Sequence, residues 1–373
     1  MLHVLLFASL IFFCATYLAY LFYVRRHAKQ PWKLKIDENF QPTVSILVPS
    51  HNEEANIEKK LKNLATVDYP KERIEIIVVD DASEDGTVQK VEHFINAHPD
   101  MNIRLVKQKT RAGKSAALNN ALSVSSNSIV VVSDADTCWA PDVLSNALRY
   151  LSDSTVGAVT GRGINENIES SWVTNAEDSY LNFTSIIRTG ESKIHSTIRF
   201  EGGFCAYKKG AFSEFDCETG SDDSGTALDV VQHKKRAILV PEVVFTTSFP
   251  TVLSGKLKIK ARRANQLIGL WIKCLKLLIK GELVLPKRIV IPEILLFIVN
   301  PLIFLSMTII AAILVIIYPF SIFSASLLLL LIGLLLFARN LFLELVLDNF
   351  ILAYAFLSYL FGRRYISWKK TAS

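Results

Sequence analysis

Closely spaced carboxylates are the residues of this chain whose types and spacing could do chemistry. They stand as three groups, Asp80-Asp81, Asp134-Ala-Asp136 and Asp222-Asp223. Any one group alone is most simply a helix cap or a solvated turn. Two carboxylates two positions apart can also face one hard cation, and Mg²⁺ typically takes one or two carboxylates together with waters and substrate phosphates. The group at 134–136 therefore suggests a metal–diphosphate site.

The apolar runs around these groups predict the elements that position them. Short β-branched runs at residues 44–48, 74–79, 103–106 and 129–132 predict buried strands, and apolar residues at helical spacing lie between them. Continuous apolar strands separated by helices imply a parallel sheet covered on both faces. The first two carboxylate groups follow the second and fourth strands. We therefore expect them at the carboxyl edge of the sheet, where such folds bind ligands.

The motifs of several other classes of phosphate-binding protein are incomplete or absent in this sequence. Gly113-Lys114-Ser115 resembles the end of a P-loop, but Gln108 occupies the position where that motif needs its first glycine. The sequence after the first strand, PSHNE at residues 49–53, holds no G-x-G-x-x-G fingerprint. Kinase, ATPase and dinucleotide-binding functions are therefore disfavoured. The five cysteines form no C-x-x-C pair, which argues against a disulfide scaffold and a zinc site.

The composition argues against an ordinary soluble globule, because 50% of the 373 residues are hydrophobic and only 20% are charged. Residues 1–24 contain no Asp, Glu, Lys or Arg and run directly into Arg25 and Arg26. A run of this length predicts an uncleaved membrane anchor rather than a signal peptide. The positive-inside rule then places residues 25–288 in the cytoplasm of a multi-pass protein of the cell membrane.

A second apolar block fills the C-terminal part of the chain. Residues 289–337 carry Glu293 as their one charge, and Pro319 divides them into two predicted spans. Residues 341–361 could form a third span, although they carry two acidic residues. A full third span would put the basic tail at 363–370 outside, against the positive-inside rule. Two or three C-terminal spans therefore remain open.

The formal charge of +6 is concentrated in one segment. Residues 253–288 hold ten Lys and Arg residues and one acidic residue, Glu282, with Leu, Ile and Trp side chains recurring near helical spacing. An amphipathic basic helix containing Trp271 suits an anionic membrane surface, so membrane lipid is an expected partner. A solvated basic helix is the plainer alternative. Nucleic acid is not expected as a partner, because both ends of the cytosolic part are tethered to the membrane.

Four stretches in order resemble the motifs of the family 2 glycosyltransferases. They are VSILVPSHNEE at 44–54, IIVVDDASEDGT at 76–87, RAGKSAALNN at 111–120 and SDADT at 133–137. The resemblance covers about residues 43–271, together with the membrane layout of the integral members. It implies an α/β GT-A (Rossmann-like) cytosolic domain at 42–251. The anchor at 1–24, an amphipathic interfacial segment at 252–288 and two or three transmembrane helices at 289–361 would flank that domain.

The resemblance also implies a donor, a cation and the residues that bind them. The donor would be a nucleotide-diphosphate sugar, most often a UDP-sugar. The residues bordering its nucleoside would be Pro49, Glu53, Asp80 and Asp81. Asp134 and Asp136 would hold Mg²⁺ or Mn²⁺ on the diphosphate, where charge develops on the leaving group. Lys114 would assist there or would be a solvated lysine at a helix start.

A glycine-bearing acceptor loop and a base complete the resemblance. Gly202, Gly203 and Phe204 match the loop, and Asp222-Asp223 match the acidic pair that carries the base, with Asp223 the candidate. Processive polysaccharide synthases carry a Q-x-x-R-W block after this point, and the corresponding stretch here is KARRA at 260–264. Arg263 aligns with the Arg of that block, whereas Lys260 and Ala264 replace its Gln and Trp. Arg262 and Arg263 are expected to clamp the diphosphate. The lost Trp puts processivity in doubt.

Three functions follow from these features. The leading one is an inverting membrane glycosyltransferase that moves a sugar from a nucleotide-diphosphate sugar to a lipid-linked or membrane-proximal glycan acceptor. A processive polysaccharide synthase that extrudes its polymer is the alternative of the same class. A membrane transporter or scaffold with a nucleotide-sugar-sensing domain is the alternative of another class, and it would need no catalytic base.

Overall fold

The computed structural model describes residues 1–167 and 172–363, so most of the basic tail at 363–370 lies outside the described residues. The strands are β1 (Val44–Ser50), β2 (Ile74–Asp80), β3 (Ile103–Lys107), β4 (Ile129–Val132), β5 (Thr137–Trp139), β6 (Val156–Asn165), β7 (Cys205–Lys208) and β8 (Arg236–Thr247). The helices are α1 (Leu2–Ala28), α2 (Ile57–Ala65), α3 (Thr87–Ala97), α4 (Lys114–Val124), α5 (Val143–Leu148), α6 (Trp172–Ile194), α7 (Asp222–Gln232), α8 (Leu253–Lys280), α9 (Lys287–Ile294), α10 (Asn300–Ile317), α11 (Ile322–Phe337) and α12 (Arg339–Leu360).

All the described strands form one sheet in the order β3-β2-β1-β4-β7-β6-β8-β5. The half made of β3, β2, β1 and β4 is parallel throughout, as the apolar runs predict. Its central strand β1 is buried along its whole length, VSILVPS. A strand buried on both sides and both faces needs such a continuous apolar run, because no face alternates with solvent.

The other half of the sheet differs from the parallel expectation. β7 runs antiparallel to both β4 and β6, and β5 runs antiparallel to β8, whereas β6 and β8 are parallel. The sheet is therefore mixed. β5 and β7 contain only three and four residues, too few for a periodic pattern to identify them in the sequence.

Helices cover the sheet on both faces and divide the core into two apolar clusters. One cluster contains Ile57 and Leu61 of α2 with Val44 and Ile46 of β1. The other contains Ala117 of α4 and many residues of α7 and α8. The first turns of α4 and α7 thereby come to the same region as the carboxyl ends of β1, β2 and β4.

In the described part of the chain, three helical stretches are long and apolar enough to cross a membrane: Leu2–Ala28, Lys287–Ile317 and Phe342–Leu360. The middle stretch joins α9 and α10 through a π-helical segment at Leu295–Val299. α11 is apolar but has only 16 residues. The helical structure is interrupted between α10 and α11 around Pro319, as predicted. The acidic residues of α12 face protein, since Glu344 is only 6% exposed.

The helix α8 packs differently from the interfacial segment that the sequence predicts. Its stripe residues Ile268, Leu270 and Trp271 are buried in a core cluster that also includes Ala355 of α12. The protein itself therefore covers much of the apolar stripe, whereas Ile279 near the C-terminal end is 77% exposed. The helix ends at Gly281, whose φ of +74° is the left-handed conformation that glycine adopts at a helix C-terminus.

Candidate active site

The parallel half of the sheet brings the first two carboxylate groups to one edge. Ser50 at the end of β1 pairs in register with Asp80 at the end of β2, and Leu47 pairs with Val132 at the end of β4. The N–H of Asp81 donates to the carbonyl of Ser50 at 2.8 Å. The predicted clustering at the carboxyl edge is what the structure shows.

Asp80 and Asp81 have different surroundings, although both are only 3% exposed. Both carboxylate oxygens of Asp81 are occupied, since they accept the N–H groups of Ala112 and Gly113 at 2.7 and 2.8 Å. These bonds hold the turn before α4, where Gly113 has a φ of +94°. Asp80 Oδ2 accepts the N–H of Ser83, whereas Oδ1 is buried without a hydrogen-bond partner among the described residues. Asp80 Oδ1 is therefore a buried acceptor that no group in the described part of the chain satisfies.

Two further residues that the sequence predicts to bind the sugar donor lie beside this edge. Pro49 is buried in β1 opposite Val79. Glu53 is 2% exposed, and its Oε2 accepts a hydrogen bond from Asn56 Nδ2 at 2.7 Å. Pro49 is the second-last residue of β1, and Glu53 lies in the loop between β1 and α2.

Lys114 joins two of the three carboxylate groups. Its Nζ lies 2.8 Å from Asp134 Oδ1 and 3.0 Å from Asp222 Oδ2. Burial alone would lower the pKa of Lys114, but the negative charges of Asp134, Asp222 and Asp223 raise it well above its usual range. Lys114 is therefore a cation held at the centre of an acidic site and not a solvated lysine at a helix start.

Asp222 and Asp223 are the first two residues of α7. Burial raises the pKa of Asp222, with Lys114 opposing the shift. Burial and the neighbouring charge of Asp222 raise the pKa of Asp223 to about 7, again against the effect of Lys114. A carboxyl group poised near neutral pH is suited to accept a proton, because its protonated and ionised forms are then both accessible.

Asp136 stands two residues after Asp134, close enough for the two charges to interact. Desolvation in the cleft and the charges of Asp134 and Glu53 raise the pKa of Asp136 to about 6. Within residues 1–167 and 172–363, no three His, Cys, Asp or Glu side chains are grouped to hold a metal ion. Two carboxylates are the donor set of a cation that takes its remaining ligands from water and substrate phosphate. The residues present fit that kind of cation.

The predicted acceptor loop lies against the carboxylate site. The carbonyl of Gly202 accepts the N–H of Asp134 at 3.0 Å. A Cβ at Gly202 would lie 2.5 Å from Lys114 Nζ and 2.7 Å from Asp134 Oδ2, so a larger residue would displace that ion pair. The carbonyl of Gly203 accepts Trp139 Nε1 at 2.7 Å. The glycines are needed for this close approach.

The ring of Phe204 is not accessible to an acceptor, although the sequence assigns Phe204 to the acceptor loop. Its side chain is 0% exposed and packs edge-on against Trp139, with ring centroids 5.0 Å apart. A fully buried ring cannot contact an acceptor. Phe204 therefore supports the loop from within the core, because apolar burial outweighs exposure of the ring in the cleft.

The two arginines of α8 are placed differently from each other. Arg262 is partly buried. Burial and the charge of Arg263 lower the pKa of Arg262, whereas the charges of Asp134, Asp223 and Asp222 raise it. Because these three carboxylates belong to the site, Arg262 faces the site. Its Nε is buried without a hydrogen-bond partner within the described part of the chain. Arg263 is exposed. Of the two, Arg262 is the one placed to meet an anionic ligand.

A buried lysine lies under the site and is not among the site residues that the sequence predicts. Lys60 is 1% exposed and donates to the carbonyl of Thr137 at 3.2 Å, directly after Asp136. Burial lowers its pKa to about 7, and its Nζ lies 4.5 Å from the ring centroid of Trp139. Lys60 stands three residues after Ile57 on the buried face of α2. That spacing is a signal from which its burial could have been predicted.

An ionic cluster between α6, α8 and α12 also escaped prediction. Lys260 Nζ lies 2.5 Å from Glu344 Oε2, 2.7 Å from Asp348 Oδ1 and 3.6 Å from Glu177 Oε2. Lys256 forms ion pairs with the same Glu344 and Glu177. The negative charge of Glu344 is thus compensated by Lys256 and Lys260. The sequence predicts both lysines on a membrane-facing basic surface.

The sequence of the sheet-forming part matches a known family. Residues 45–215 match the family described as Glycosyl transferase family 2. An N-acetylglucosaminyltransferase of Bradyrhizobium elkanii is 32% identical over 134 residues, which are 36% of this chain and 72% of that protein. A beta-monoglucosyldiacylglycerol synthase of Synechocystis sp. is 29% identical over 206 residues, 53% of this chain and 42% of that protein.

Other curated relatives are much longer than the part they share with this chain. A probable glycosyltransferase of Bacillus subtilis, YdaM, is 38% identical over 123 residues, and these are 29% of its length. A solved structure covers far more. It is a mannosyltransferase from Pyrobaculum calidifontis in complex with GDP-Man and Mn²⁺, with a TM-score of 0.85 and 30% identity over 98% of this chain and 100% of that one.

Proposed function

The chain belongs to glycosyl transferase family 2, and we propose that it is an inverting enzyme acting on a nucleotide-diphosphate sugar and a lipid-linked or membrane-proximal glycan acceptor. That it is a glycosyltransferase with a GT-A fold follows from the family match and from the full-length similarity to the mannosyltransferase. The finer statements about donor and acceptor rest on the geometry of the site.

One observation carries the proposal: Lys114 joins Asp134 and Asp222 at the carboxyl edge of the sheet. This contact places a cation between the strand-end carboxylates and the acidic pair that includes Asp223. The leaving group of a nucleotide-diphosphate sugar gains negative charge as the bond to the sugar breaks. Fixed cationic groups aimed at that charge stabilise the transition state. Lys114 and Arg262 are the described side chains suited to this role.

Asp223 is proposed as the general base. Its carboxylate takes the proton of an acceptor hydroxyl while that oxygen forms a bond to the anomeric carbon. The bond from the same carbon to the diphosphate oxygen breaks on the opposite face, so the configuration inverts. The pKa of about 7 keeps a substantial fraction of Asp223 ionised at neutral pH. Asp222 raises that pKa and also holds Lys114 in place.

The donor and its cation are proposed to bind beside this base. Pro49, Glu53 and the free Oδ1 of Asp80 would border the nucleoside, and Asp81 would fix the turn that presents Lys114. Asp134 and Asp136 would hold Mg²⁺ or Mn²⁺. When bound, the cation neutralises charge on the diphosphate and so makes it a better leaving group. The mannosyltransferase from Pyrobaculum calidifontis, which is similar over nearly the whole chain, was solved with Mn²⁺.

The apolar helices support a membrane-proximal acceptor. Among the described residues, three stretches are long and apolar enough to cross a bilayer, and they lie on both sides of the sheet domain in the chain. By the positive-inside rule, Arg25 and Arg26 support a cytoplasmic position of the domain in a multi-pass protein. Gly202 and Gly203 would border the acceptor, and their close contacts with Asp134 and Phe245 leave no room for side chains.

A donor screen with purified full-length protein in liposomes tests the proposal. Radiolabelled UDP-sugars and GDP-mannose are offered with total membrane lipid, and the products are separated into lipid-soluble and polymeric fractions. Label in the lipid fraction that depends on Asp223 supports single transfer. A ladder of long polymers would instead establish the processive synthase. Nucleotide-sugar binding without transfer to any acceptor fraction would favour the sensing alternative.

A further inference from the structure

The last turns of α1 are part of the folded domain and not only a tether. The first turns expose apolar side chains, with Phe7 54% and Ile11 68% exposed, whereas Tyr20 and Val24 are buried. Val24 packs on Gly190 of α6: a Cβ at Gly190 would lie 2.2 Å from the Val24 carbonyl oxygen. Any larger residue there would push the two helices apart. The exposed turns are suited to lipid, and the buried turns to the protein.

A hydrogen-bonded carboxylate links α1 to the segment that follows α6. Tyr20 Oη donates to Glu191 Oε1 at 2.6 Å, and Thr197 Oγ1 donates to Glu191 Oε2 at 2.7 Å. Glu191 is 1% exposed, so both of its oxygens depend on these partners and on Arg199, whose Nη2 lies 3.6 Å from Oε1. Arg199 Nη2 also lies 3.4 Å from Glu293 Oε1 of α9.

The segment at 197–204 then reaches the active site. The N–H of Phe200 donates to Ser224 Oγ at 3.2 Å, immediately after Asp223. Glu201 forms an ion pair with Arg188 of α6 at 2.5 Å. Gly202 accepts the N–H of Asp134 at 3.0 Å. A continuous set of contacts therefore runs from the Tyr20 hydroxyl to the carboxylate groups at 134–136 and 222–223.

A tether alone does not account for this arrangement. Burying a carboxylate is costly unless it is hydrogen-bonded, and removing one partner leaves the full desolvation penalty. We propose that Tyr20 and Glu191 are positioning residues, which hold the 197–204 segment in the geometry needed for transfer. The anchor helix is then a structural component of the active site. This inference rests on the proposed transfer reaction at Asp223.

The test compares Tyr20→Phe with Tyr23→Phe in the full-length protein in liposomes. Tyr23 is a matched control, because its ring packs on His27 and its hydroxyl has no hydrogen-bond partner among the described residues. We expect Tyr20→Phe to lower kcat about tenfold, the effect of losing one hydrogen bond to a buried charged group. The KM for the donor and the membrane-bound fraction should stay at the values of the Tyr23→Phe protein.

Thr197→Val supplies a second, milder variant if Tyr20→Phe folds poorly. It removes the loop side of the same carboxylate link and leaves the contact between α1 and α6 in place. We expect the same loss of kcat with an unchanged donor KM. Equal kcat values in Thr197→Val, Tyr20→Phe and the control protein would overturn the inference.

Hydrogen–deuterium exchange separates this inference from the proposed function, since it needs neither donor nor acceptor. We expect faster exchange of the peptide covering 197–204 in Tyr20→Phe than in Tyr23→Phe. Faster exchange in a protein that transfers no sugar would retain the positioning role and reject the reaction. Unchanged exchange together with unchanged kcat in an active protein would reject the positioning role alone.

Discussion

Lys114 Nζ lies 3.0 Å from Asp222 Oδ2, so the first residue of α4 is paired with the first residue of α7. The two helices lie far apart in the chain, but both pack into the same apolar cluster, and their N-terminal turns meet. This contact sets the electrostatics of the whole site, because Asp134 shares the same lysine.

Replacing Lys114 with Met should nearly abolish transfer. The apolar side chain keeps the length of Lys but leaves Asp134 and Asp222 without their cation, and it removes a positive group next to the leaving diphosphate. We expect kcat/KM to fall about 100-fold, as for the loss of one preorganised charge-stabilising group. Lys62→Met is the matched control, since Lys62 is exposed on α2 and pairs only with Glu58 among its described ion pairs. Comparable activity in both proteins would exclude Lys114 from the reaction.

Asp223→Asn should separate binding from chemistry. The amide keeps the shape of the side chain but cannot take a proton, so we expect transfer to a hydroxyl acceptor to fall at least about 100-fold, within the range for general-base catalysis. Nucleotide and Mn²⁺ affinities, measured by calorimetry, should remain close to those of the unmodified protein. Asp100→Asn, at an exposed position before β3, is the control. Full activity of Asp223→Asn would remove the base assignment.

The pH dependence of kcat/KM should report the same group. The pKa of Asp223 is raised to about 7 by burial and by Asp222, and only the ionised form can accept a proton. Activity should therefore rise with pH through about 7 and be lost as pH falls below it. In Asp222→Asn one raising charge is gone, so the midpoint should move to lower pH in the normalised profile. A profile that is flat between pH 5.5 and 8 would contradict Asp223 as the titrating group.

Asp136→Ala should weaken nucleotide binding only when the cation is present. The variant removes one of the two carboxylates proposed to hold Mn²⁺, so a cation-bridged diphosphate loses a ligand. We expect about tenfold weaker UDP or GDP binding with Mn²⁺, a typical cost of losing part of a metal site. In EDTA the variant and the unmodified protein should bind nucleotide equally. Identical titration curves in Mn²⁺ would reject the metal role of Asp136.

Glu344→Gln should destabilise the protein without touching the catalytic site. Lys256 and Lys260 both pair with Glu344, and the amide leaves these buried lysines undercompensated. Breaking a buried ion pair by removing one partner typically costs about 3 kcal/mol or more. A thermal unfolding scan of the full-length protein should show a lowered Tm. Glu282→Gln, at an exposed position, should leave the Tm unchanged.

The features that the sequence predicts correctly depend on short-range patterns. The strands β1, β2 and β4 are continuous apolar runs, and parallel pairing of such strands places Asp80, Asp81, Asp134 and Asp136 at one edge. The membrane-compatible stretches at both ends follow from length and hydropathy alone. These strands and helices depend on the types of neighbouring residues, so they can be predicted without knowledge of tertiary packing.

The features that the sequence does not predict depend on distant contacts. Lys256 and Glu344 pair across 88 positions, and nothing near Lys256 distinguishes it from the exposed lysines of α8. The orientation of Phe204 is set by Trp139, on a strand of only three residues. Lys60 could have been recognised by its spacing, but its position under Asp136 requires the packing of α2 on β5.

The length of α11 has a consequence for the surrounding lipid. Its 16 residues, at about 1.5 Å of rise each, give about 24 Å, whereas a bilayer interior measures about 30 Å. The stretch formed by α9 and α10 has 31 residues and exceeds that thickness. Where both elements lie in one bilayer, the hydrocarbon thins beside α11, whereas the stretch formed by α9 and α10 tilts or the hydrocarbon thickens around it. The protein would then impose a step in membrane thickness across its own width.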